Sequence, residues 1–365
     1  MSLHLGPRTC VLGIVLLLVG AECALRAFGD FAQSPVSDTS ARLGYRLVPG
    51  SYRGPHGASI DVNASGFRER ELATSVDDPR TLRIAVLGDS VSFGQDVASE
   101  ETWGRQLEQL ASARVARSAQ HQRALVYNFS VPGYTLEQMA RLCEDELRAW
   151  KPAVVIISLG TYAIRPMRER TDPVRFPLRT WIQRSALYDL ADRLRRRGDR
   201  ERDPAALLAA ERALRDDPHA AENEVLWLQA ATRLEGLRAL FEPAACRLVV
   251  LSMPMLEDVV EQRAADATPA PPSAVERWAR AHPDVTWIEP RSAMRHAMQR
   301  LLAEIAERRL ATEQVWRRNA QAPVPLTQAS ESVFFLDDPW HLTARGHLVV
   351  AHTVDEALER AGLLR

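Results

Sequence analysis

The sequence predicts an α/β fold, a three-layer α/β/α sandwich with a central parallel sheet of about five strands. One observation behind this prediction is that short apolar runs alternate with longer segments of helical periodicity. Another is that residues 153–159 are almost entirely apolar, which is typical of a parallel strand covered on both faces. The predicted strands are 84–87, 125–129, 153–159, 247–254 and 285–288.

Helices are predicted between these strands, because apolar residues recur there at a spacing of three and four. A long helical insertion is predicted at about 165–241, with its helices from residue 180 onward. Its arginine-rich stretches, such as 193–202, are typical of solvated helix faces. The other predicted helices are 103–113, 136–150, 275–281, 301–316 and 342–361.

The domain organisation follows from length and composition. A chain of 365 residues fits one large domain with an appendage, and we assign that domain to residues 81–365. Residues 31–80 are polar and rich in proline and glycine, so they are predicted to be a linker with short strands. Lys and Arg (46) balance Asp and Glu (47), which gives no reason to expect nucleic acid as a partner.

Residues 1–30 are predicted to be a signal peptide or an N-terminal membrane anchor. Arg8 precedes an uncharged apolar run over 9–21, and Glu22 and Arg26 close it. This run is shorter than the roughly 20 residues of a membrane span and suits a signal peptide. Two interpretations stay open: a signal cleaved at a weak site, Ala21-Glu22-Cys23, or an uncleaved anchor. Both predict export, with the domain secreted or held at the membrane on the periplasmic or extracellular side.

The four cysteines do not follow a metal-ligand spacing. Cys10 and Cys23 lie in or beside the apolar segment. Cys143 and Cys246 are predicted to be separate buried thiols, although export would permit them to pair. No His/Cys/Glu cluster has metal spacing and no glycine-rich loop suits a nucleotide, so neither a metal nor another cofactor is predicted.

Ser90 is the candidate nucleophile. Gly88-Asp89-Ser90 directly follows the apolar run 82–87 and precedes a helical pattern. The carboxyl ends of parallel strands face the crevice in which open α/β sheets bind ligands. A serine hydroxyl becomes a good nucleophile only when a neighbouring base takes its proton. We expect Asp89 to hold the turn by bonding nearby backbone.

Asp338 and His341 are the candidate orienter and base. They stand three residues apart on the loop before the last helix, so the carboxylate can reach the imidazole and leave its other nitrogen free. The competing interpretation is that Asp337 or Asp338 only caps the last helix. Asp337 is also an alternative partner for His341.

Three blocks of sequence resemble the SGNH (GDSL-type) hydrolase family. Gly88 to Gly94, GDSVSFG, is similar to the first block, and Asn128 to Tyr134, NFSVPGY, to the second. Asp338 to His341 matches the last block, Asp-x-x-His. Asn63 to Arg68, NASGFR, resembles a segment that precedes the nucleophile in exported bacterial members.

The resemblance implies a role for each matching residue. Ser90 would be the nucleophile, His341 the general base and Asp338 its orienter. The backbone N–H groups of Ser90 and Gly133 would donate to the oxyanion, where each preorganised donor matters greatly for turnover.

The third block departs from the family pattern Gly-x-Asn-Asp, in which the Asn side chain completes the oxyanion hole. Here Tyr162 stands in place of Asn and Ala163 in place of Asp. Tyr162 through its phenol, or Thr161 if the loop is rotated, would be the third donor, and Arg165 would add positive charge. The alternative is that Tyr162 only packs and the hole has two donors.

Four other residues are weaker candidates. His296, His347 and His352 are expected to be surface or packing histidines. Trp340 is expected either to line the substrate pocket or to anchor its loop by packing.

The resemblance as a whole implies an exported esterase that hydrolyses a carboxylic ester through an acyl-enzyme. The expected partners are a small-molecule or carbohydrate ester, with acetylated carbohydrate foremost, and the membrane through the N-terminal segment. Two alternatives stay open: a polysaccharide O-acyltransferase with the same triad, and a non-catalytic binding protein that keeps the fold with an altered oxyanion hole.

Overall fold

The computed structural model describes residues 7–29, 34–54, 57–71, 78–118, 120–167, 182–196, 204–260, 272–306, 334–336 and 338–365. In chain order its first elements are α1 (Pro7–Phe28), β1 (Ser37–Ser40), β2 (Gly44–Leu47), β3 (Gly50–Arg53), β4 (Ser59–Val62), β5 (Thr81–Leu87), α2 (Ser90–Phe93), α3 (Trp103–Val115), β6 (Arg123–Asn128), α4 (Leu136–Leu142), α5 (Arg148–Trp150) and β7 (Val154–Leu159). Those that follow are α6 (Ala186–Arg196), α7 (Pro204–Asp216), α8 (Ala221–Phe241), β8 (Arg247–Ser252), α9 (Leu256–Val260), α10 (Ala274–Ala281), β9 (Thr286–Ile288), α11 (Arg291–Ala306) and α12 (Ala344–Arg360).

The centre of the fold is a parallel sheet of five strands in the order β6-β5-β7-β8-β9. This confirms the predicted fold class. β5 lies between β6 and β7, with Ile84 opposite Val126 on one side and Val86 opposite Ile156 on the other. The strand that leads to Ser90 is therefore internal to the sheet, where its backbone is held on both edges.

Helices cover both faces of the sheet, because successive strand residues point to opposite sides. Val86 and Ile156 belong to a core cluster that also takes in residues of α3, α11 and α12. Leu87 and Val155 belong to a second cluster, with residues of α4, α8 and α10. The two clusters are the two interfaces of a three-layer sandwich.

Residues 34–54 and 57–71 form two antiparallel pairs, β1 with β2 and β3 with β4. Their apolar residues Leu43, Ile60 and Phe67 are buried in the same core cluster as Leu87. This segment therefore packs onto the sheet domain.

Several predicted helices differ in detail. The segment 136–150 contains a π-helical turn, Cys143–Leu147, between α4 and α5. The helix predicted at 301–316 begins earlier, as α11, and residues 307–316 lie outside the described residues. The last helix begins at Ala344, because Leu342 pairs with Phe335 and Thr343 accepts the N-cap hydrogen bond from Gly346.

Helix α1 continues past the apolar run and contacts the insertion. Its segment Arg8–Phe28 has a mean hydropathy of 2.1, none of its most apolar stretch is buried, and it is long enough to cross a membrane. The Glu22 carboxylate accepts hydrogen bonds at the N-terminus of α6 from the Ser185 hydroxyl (2.8 Å) and the backbone N–H groups of Ala186 (2.8 Å) and Leu187 (3.0 Å).

None of the four cysteines, all of which the structure describes, forms a disulfide bond. Cys143 and Cys246 are buried, whereas Cys10 and Cys23 on α1 are exposed.

Candidate active site

Ser90 is the first residue of α2, at the carboxyl end of β5. Asp89 caps this short helix, since its Oδ1 accepts a hydrogen bond from the Val91 N–H at 3.0 Å. A side chain on Gly88 would come within 2.8 Å of the Ser92 side chain, so only glycine fits there. The sharp turn places the Ser90 hydroxyl at the carboxyl-terminal end of the parallel strands, where the sequence predicts the nucleophile.

The loop before α12 brings His341 and Asp338 to Ser90. His341 Nε2 lies 2.9 Å from Ser90 Oγ, and His341 Nδ1 lies 2.6 Å from Asp338 Oδ2. The other oxygen of Asp338 accepts the backbone N–H groups of Trp340 (2.9 Å) and His341 (2.8 Å). Asp338 therefore holds the loop as well as the ring. Thr343, not Asp338, caps α12, and Asp337 lies outside the described residues.

The protonation of the pair follows from burial and charge. Burial by itself lowers the pKa of His341, but the hydrogen bond and charge of Asp338, with the charges of Asp96 and Asp89, raise it above its ordinary value. Burial raises the pKa of Asp338, yet its bond to His341 and the backbone N–H groups bring it below the usual range. The arrangement stabilises an imidazolium next to a carboxylate, which is what a base that accepts a proton needs.

Asp89 is buried and bonds the backbone of its own turn, as expected. Burial raises its pKa to about 6, although the Val91 hydrogen bond and the charge of His341 oppose the rise.

The second block is joined to the nucleophile turn by hydrogen bonds. Asn128 Nδ2 donates to the Ser92 carbonyl at 2.7 Å, and its Oδ1 accepts the Ser130 N–H at 3.0 Å. The Val131 N–H donates to the Gly88 carbonyl at 3.2 Å. These bonds hold the loop that carries Gly133 against the loop that carries Ser90.

Gly133 adopts a left-handed backbone conformation (φ +77°), which favours glycine. A Cβ atom there would lie 3.0 Å from the Tyr45 hydroxyl and 3.7 Å from the Tyr162 hydroxyl. The Tyr45 hydroxyl donates to the Pro132 carbonyl. The Tyr162 hydroxyl is therefore next to the backbone of Gly133, in the region where the sequence predicted the oxyanion donors.

The Thr161 hydroxyl is engaged by the insertion. Its hydroxyl donates to Glu211 Oε2 at 3.0 Å, on helix α7 of the insertion. The guanidinium of Arg165 lies over the Tyr162 ring, 5.9 Å from its centre. Of the two side chains proposed for the third block, only Tyr162 lies next to Gly133.

Two further residues next to the nucleophile turn were not predicted as site residues. Gln95 Nε2 lies 3.4 Å from His341 Nε2. The buried guanidinium of Arg68 donates to the carbonyls of Ser59 (2.8 Å), Val97 (2.6 Å) and Gly94, the last two just after α2. Arg68 stands in the NASGFR segment, so its position was visible in the sequence, but its carbonyl partners were not.

Of the remaining candidates, two pack against other residues and two lie at the surface. His347 is buried, and its Nδ1 accepts the Trp103 N–H at 3.2 Å; burial lowers its pKa to about 3, so it is neutral. His296 and His352 are exposed. Trp340 packs against the cluster that contains Val86, and its indole N–H donates to Glu211 Oε2 at 2.7 Å.

Within the described part of the chain, no group of three or more His, Cys, Asp or Glu side chains is arranged to hold a metal ion.

Several solved structures are similar to this chain. An α/β hydrolase from the metagenome of Lake Arreo is 14% identical, with 78% of this chain and 96% of that chain covered and a TM-score of 0.40. An acetylxylan esterase from Geobacillus stearothermophilus is 13% identical (76% and 93% covered, TM-score 0.41). A lipase from a goat rumen metagenome is 9% identical (76% and 97% covered, TM-score 0.40).

No curated protein matches the chain. Residues 84–176, which contain Ser90, Gly133 and Tyr162, match the sequence model of the GDSL-like lipase/acylhydrolase family. Over these residues the chain is similar to that family of ester-hydrolysing enzymes, and the similarity includes Ser90 on the strand-to-helix turn of the five-stranded parallel sheet.

Proposed function

We propose that the protein hydrolyses a carboxylic ester through an acyl-enzyme formed on Ser90, with His341 as general base and Asp338 as its orienter. The observation that carries this proposal is the continuous set of contacts from Asp338 to His341 (2.6 Å) and from His341 to Ser90 (2.9 Å). A nucleophile, a base and a group that orients the base within hydrogen-bond reach are the requirement for serine catalysis.

In the proposed reaction Ser90 Oγ attacks the ester carbonyl and transfers its proton to His341 Nε2. The tetrahedral intermediate collapses when His341 gives that proton to the leaving alcohol oxygen, which leaves the acyl group on Ser90. Water then attacks the acyl-enzyme and passes a proton to His341. Release of the carboxylic acid returns that proton to Ser90 Oγ.

We propose three donors for the oxyanion: the backbone N–H groups of Ser90 and Gly133, and the phenol of Tyr162. The position of the Tyr162 hydroxyl next to Gly133 supports its role, as does the engagement of the Thr161 hydroxyl by Glu211. A phenol is a good hydrogen-bond donor to a developing negative charge.

For the substrate we propose an acetylated carbohydrate. The support is the resemblance of NASGFR (63–68) to exported family members, which often act on acylated polysaccharides. Cleavage of a short-chain activated ester and of acetylated glycans, with a preference for acetyl over longer acyl groups, is the expected outcome. Acyl transfer to an added sugar in excess of hydrolysis would instead favour the acyltransferase alternative.

The test of the catalytic assignment uses the full chain in detergent. A fluorophosphonate should label Ser90, and Ser90→Ala should abolish both labelling and ester cleavage. Ser51→Ala, which changes an exposed serine on β3, should leave both unchanged. If the folded wild-type protein is not labelled, the enzyme proposal is wrong and the binding-protein alternative takes its place.

We also propose that α1 is retained as a membrane anchor. Cleavage after Cys23 would remove Glu22 and leave the α6 N-terminus without its carboxylate partner. A carboxylate at a helix N-terminus is favourable because it accepts the free N–H groups there. The domain would then be exported and held at the membrane surface.

A further inference from the structure

A buried carboxylate of the insertion lies against both active-site loops. Glu211, on α7, is 1% exposed, and its Oε2 accepts the Trp340 indole N–H (2.7 Å) and the Thr161 hydroxyl (3.0 Å). Burying a carboxyl group is costly unless its hydrogen bonds are made. The role of this carboxyl group therefore follows from the two side chains that donate to it, Trp340 and Thr161.

Those two partners lie on two different loops. Trp340 lies between Asp338 and His341, in the turn whose N–H groups bond Asp338. Thr161 immediately precedes Tyr162, in the loop after β7. One carboxyl group thus joins the loop of the proposed base to the loop of the proposed oxyanion donor.

A second contact ties the insertion to the same loop. Arg165 Nη2 donates to the Leu207 carbonyl on α7 at 3.5 Å, while its guanidinium lies over Tyr162. The charge of Arg165 also acts on Glu211, where burial is the larger influence and raises the carboxyl pKa. Helix α7 therefore contacts the third block at two points, one on each side of Tyr162.

We propose that Glu211 is a positioning residue for catalysis: through Trp340 it fixes the loop that holds His341 against Ser90, and through Thr161 it fixes the loop of Tyr162. This inference rests on the proposed function. It means that the helical insertion completes the active site, because Glu211 reaches residues 50 and 129 positions away in the chain.

The test compares Glu211→Ala, Glu211→Gln and Trp340→Phe in the full chain. Glu211→Ala should lower kcat, and the rate of fluorophosphonate labelling at Ser90, by about 10- to 100-fold, with KM changed less than about threefold, because a misplaced base slows the reaction step. Glu211→Gln keeps an acceptor oxygen and should restore the rate to within about fivefold of wild type. Asp216→Asn, an exposed carboxylate on the same helix, is the matched control and should not change either rate.

Trp340→Phe removes the indole N–H and keeps an aromatic ring. If the contact acts as proposed, Glu211→Ala combined with Trp340→Phe should be no slower than the slower single variant, because coupled residues are not additive. Additive losses, or a Glu211→Ala enzyme with wild-type kcat and labelling rate, would overturn the proposal. Should Glu211→Ala fail to fold, Trp340→Phe alone decides: it should lower kcat and the labelling rate, and wild-type values for both would overturn the proposal.

The two levels of inference fail differently. Absence of labelling in the wild-type protein contradicts catalysis by Ser90. Full labelling of wild type and Glu211→Ala at equal rates contradicts only the role of Glu211.

Discussion

The proposed base, His341, has a pKa that burial lowers and that three carboxylates together raise above its ordinary value. Asp338 bonds it directly, while Asp96 and Asp89 act through their charge. In the proposed mechanism only neutral His341 can accept the Ser90 proton, so activity rises as pH rises through the pKa of His341. Because that pKa is raised, the midpoint of the acid limb of kcat/KM should lie above pH 6.5.

Replacing Asp338 by Asn tests this dependence on charge. The substitution removes the main influence that raises the pKa of His341 and leaves burial, which lowers it. The acid limb should therefore move to lower pH, while kcat falls by about 10²–10⁴ because the ring loses its orienting carboxylate. A pH–rate profile measures both changes, and an unmoved limb would contradict the assignment of His341 as the titrating base.

Tyr162 is one of the two residues of the third block, with Ala163, at which this chain differs from the family pattern. Tyr162→Phe removes only the hydroxyl next to Gly133, so kcat should fall by about 10- to 1000-fold if that hydroxyl donates to the oxyanion. Tyr52→Phe, whose hydroxyl bonds the Val48 carbonyl away from the site, is the control. Wild-type kcat in Tyr162→Phe would mean that the hole has two donors and that the tyrosine only packs.

Among the elements, the short helix α2 depends on a side chain from another part of the chain. Arg68 donates to the carbonyl groups of Gly94 and Val97 in the loop that follows α2, and Asn128 donates to the carbonyl group of Ser92 in α2 itself. A turn that carries a nucleophile must be held firmly, and here the β3–β4 segment and β6 supply the hydrogen bonds.

Arg68→Met should therefore destabilise the protein, because it leaves buried carbonyl groups without donors. We expect a loss of about 2–4 kcal/mol in the free energy of unfolding, with the matched change Arg53→Met, at an exposed position on β3, costing less than about 0.5 kcal/mol. Urea titrations followed by tryptophan fluorescence measure the difference. Equal stability of the two variants would contradict the structural role of Arg68.

The sequence predicted those elements whose signals are local. The five strands are apolar runs, and the order of the helices between them determines a parallel sheet. Ser90, Asp338 and His341 could be proposed as site residues from the sequence, because each stands at a strand end or before a helix within a short motif.

The role of Glu211 could not be predicted from the sequence, because its hydrogen-bond partners are far away in the chain and its helix has the composition of a solvated surface helix. Nor could the sequence decide between Thr161 and Tyr162. That choice depends on which way a loop turns, and the loop is fixed by a helix of the insertion.

At the scale of the whole molecule, the insertion contacts both α1 and the sheet domain: Glu22 of α1 bonds the N-terminus of α6, and Glu211 of α7 bonds two loops of the sheet domain. The retained-anchor proposal predicts that the protein isolated from membranes keeps residues 1–23 and resists alkaline carbonate extraction. Mass spectrometry of the N-terminus measures the first point. A mature N-terminus at Ala24 with full activity in the soluble fraction would show instead that the segment is a cleaved signal.

The contact between Glu22 and α6 has a consequence for how far the active site can travel. A domain joined to its anchor by a flexible linker can move far from the membrane. A domain bonded directly to the anchor helix stays at a fixed, short distance from it. The segment Arg8–Phe28 is about 32 Å long as a helix, which matches a hydrocarbon core of about 30 Å. Because Glu22 lies near the end of this segment, its bonds to α6 would hold the domain close to the headgroups. If α1 is retained as proposed, the active site would meet its ester within a thin layer above the lipid and not in the surrounding medium.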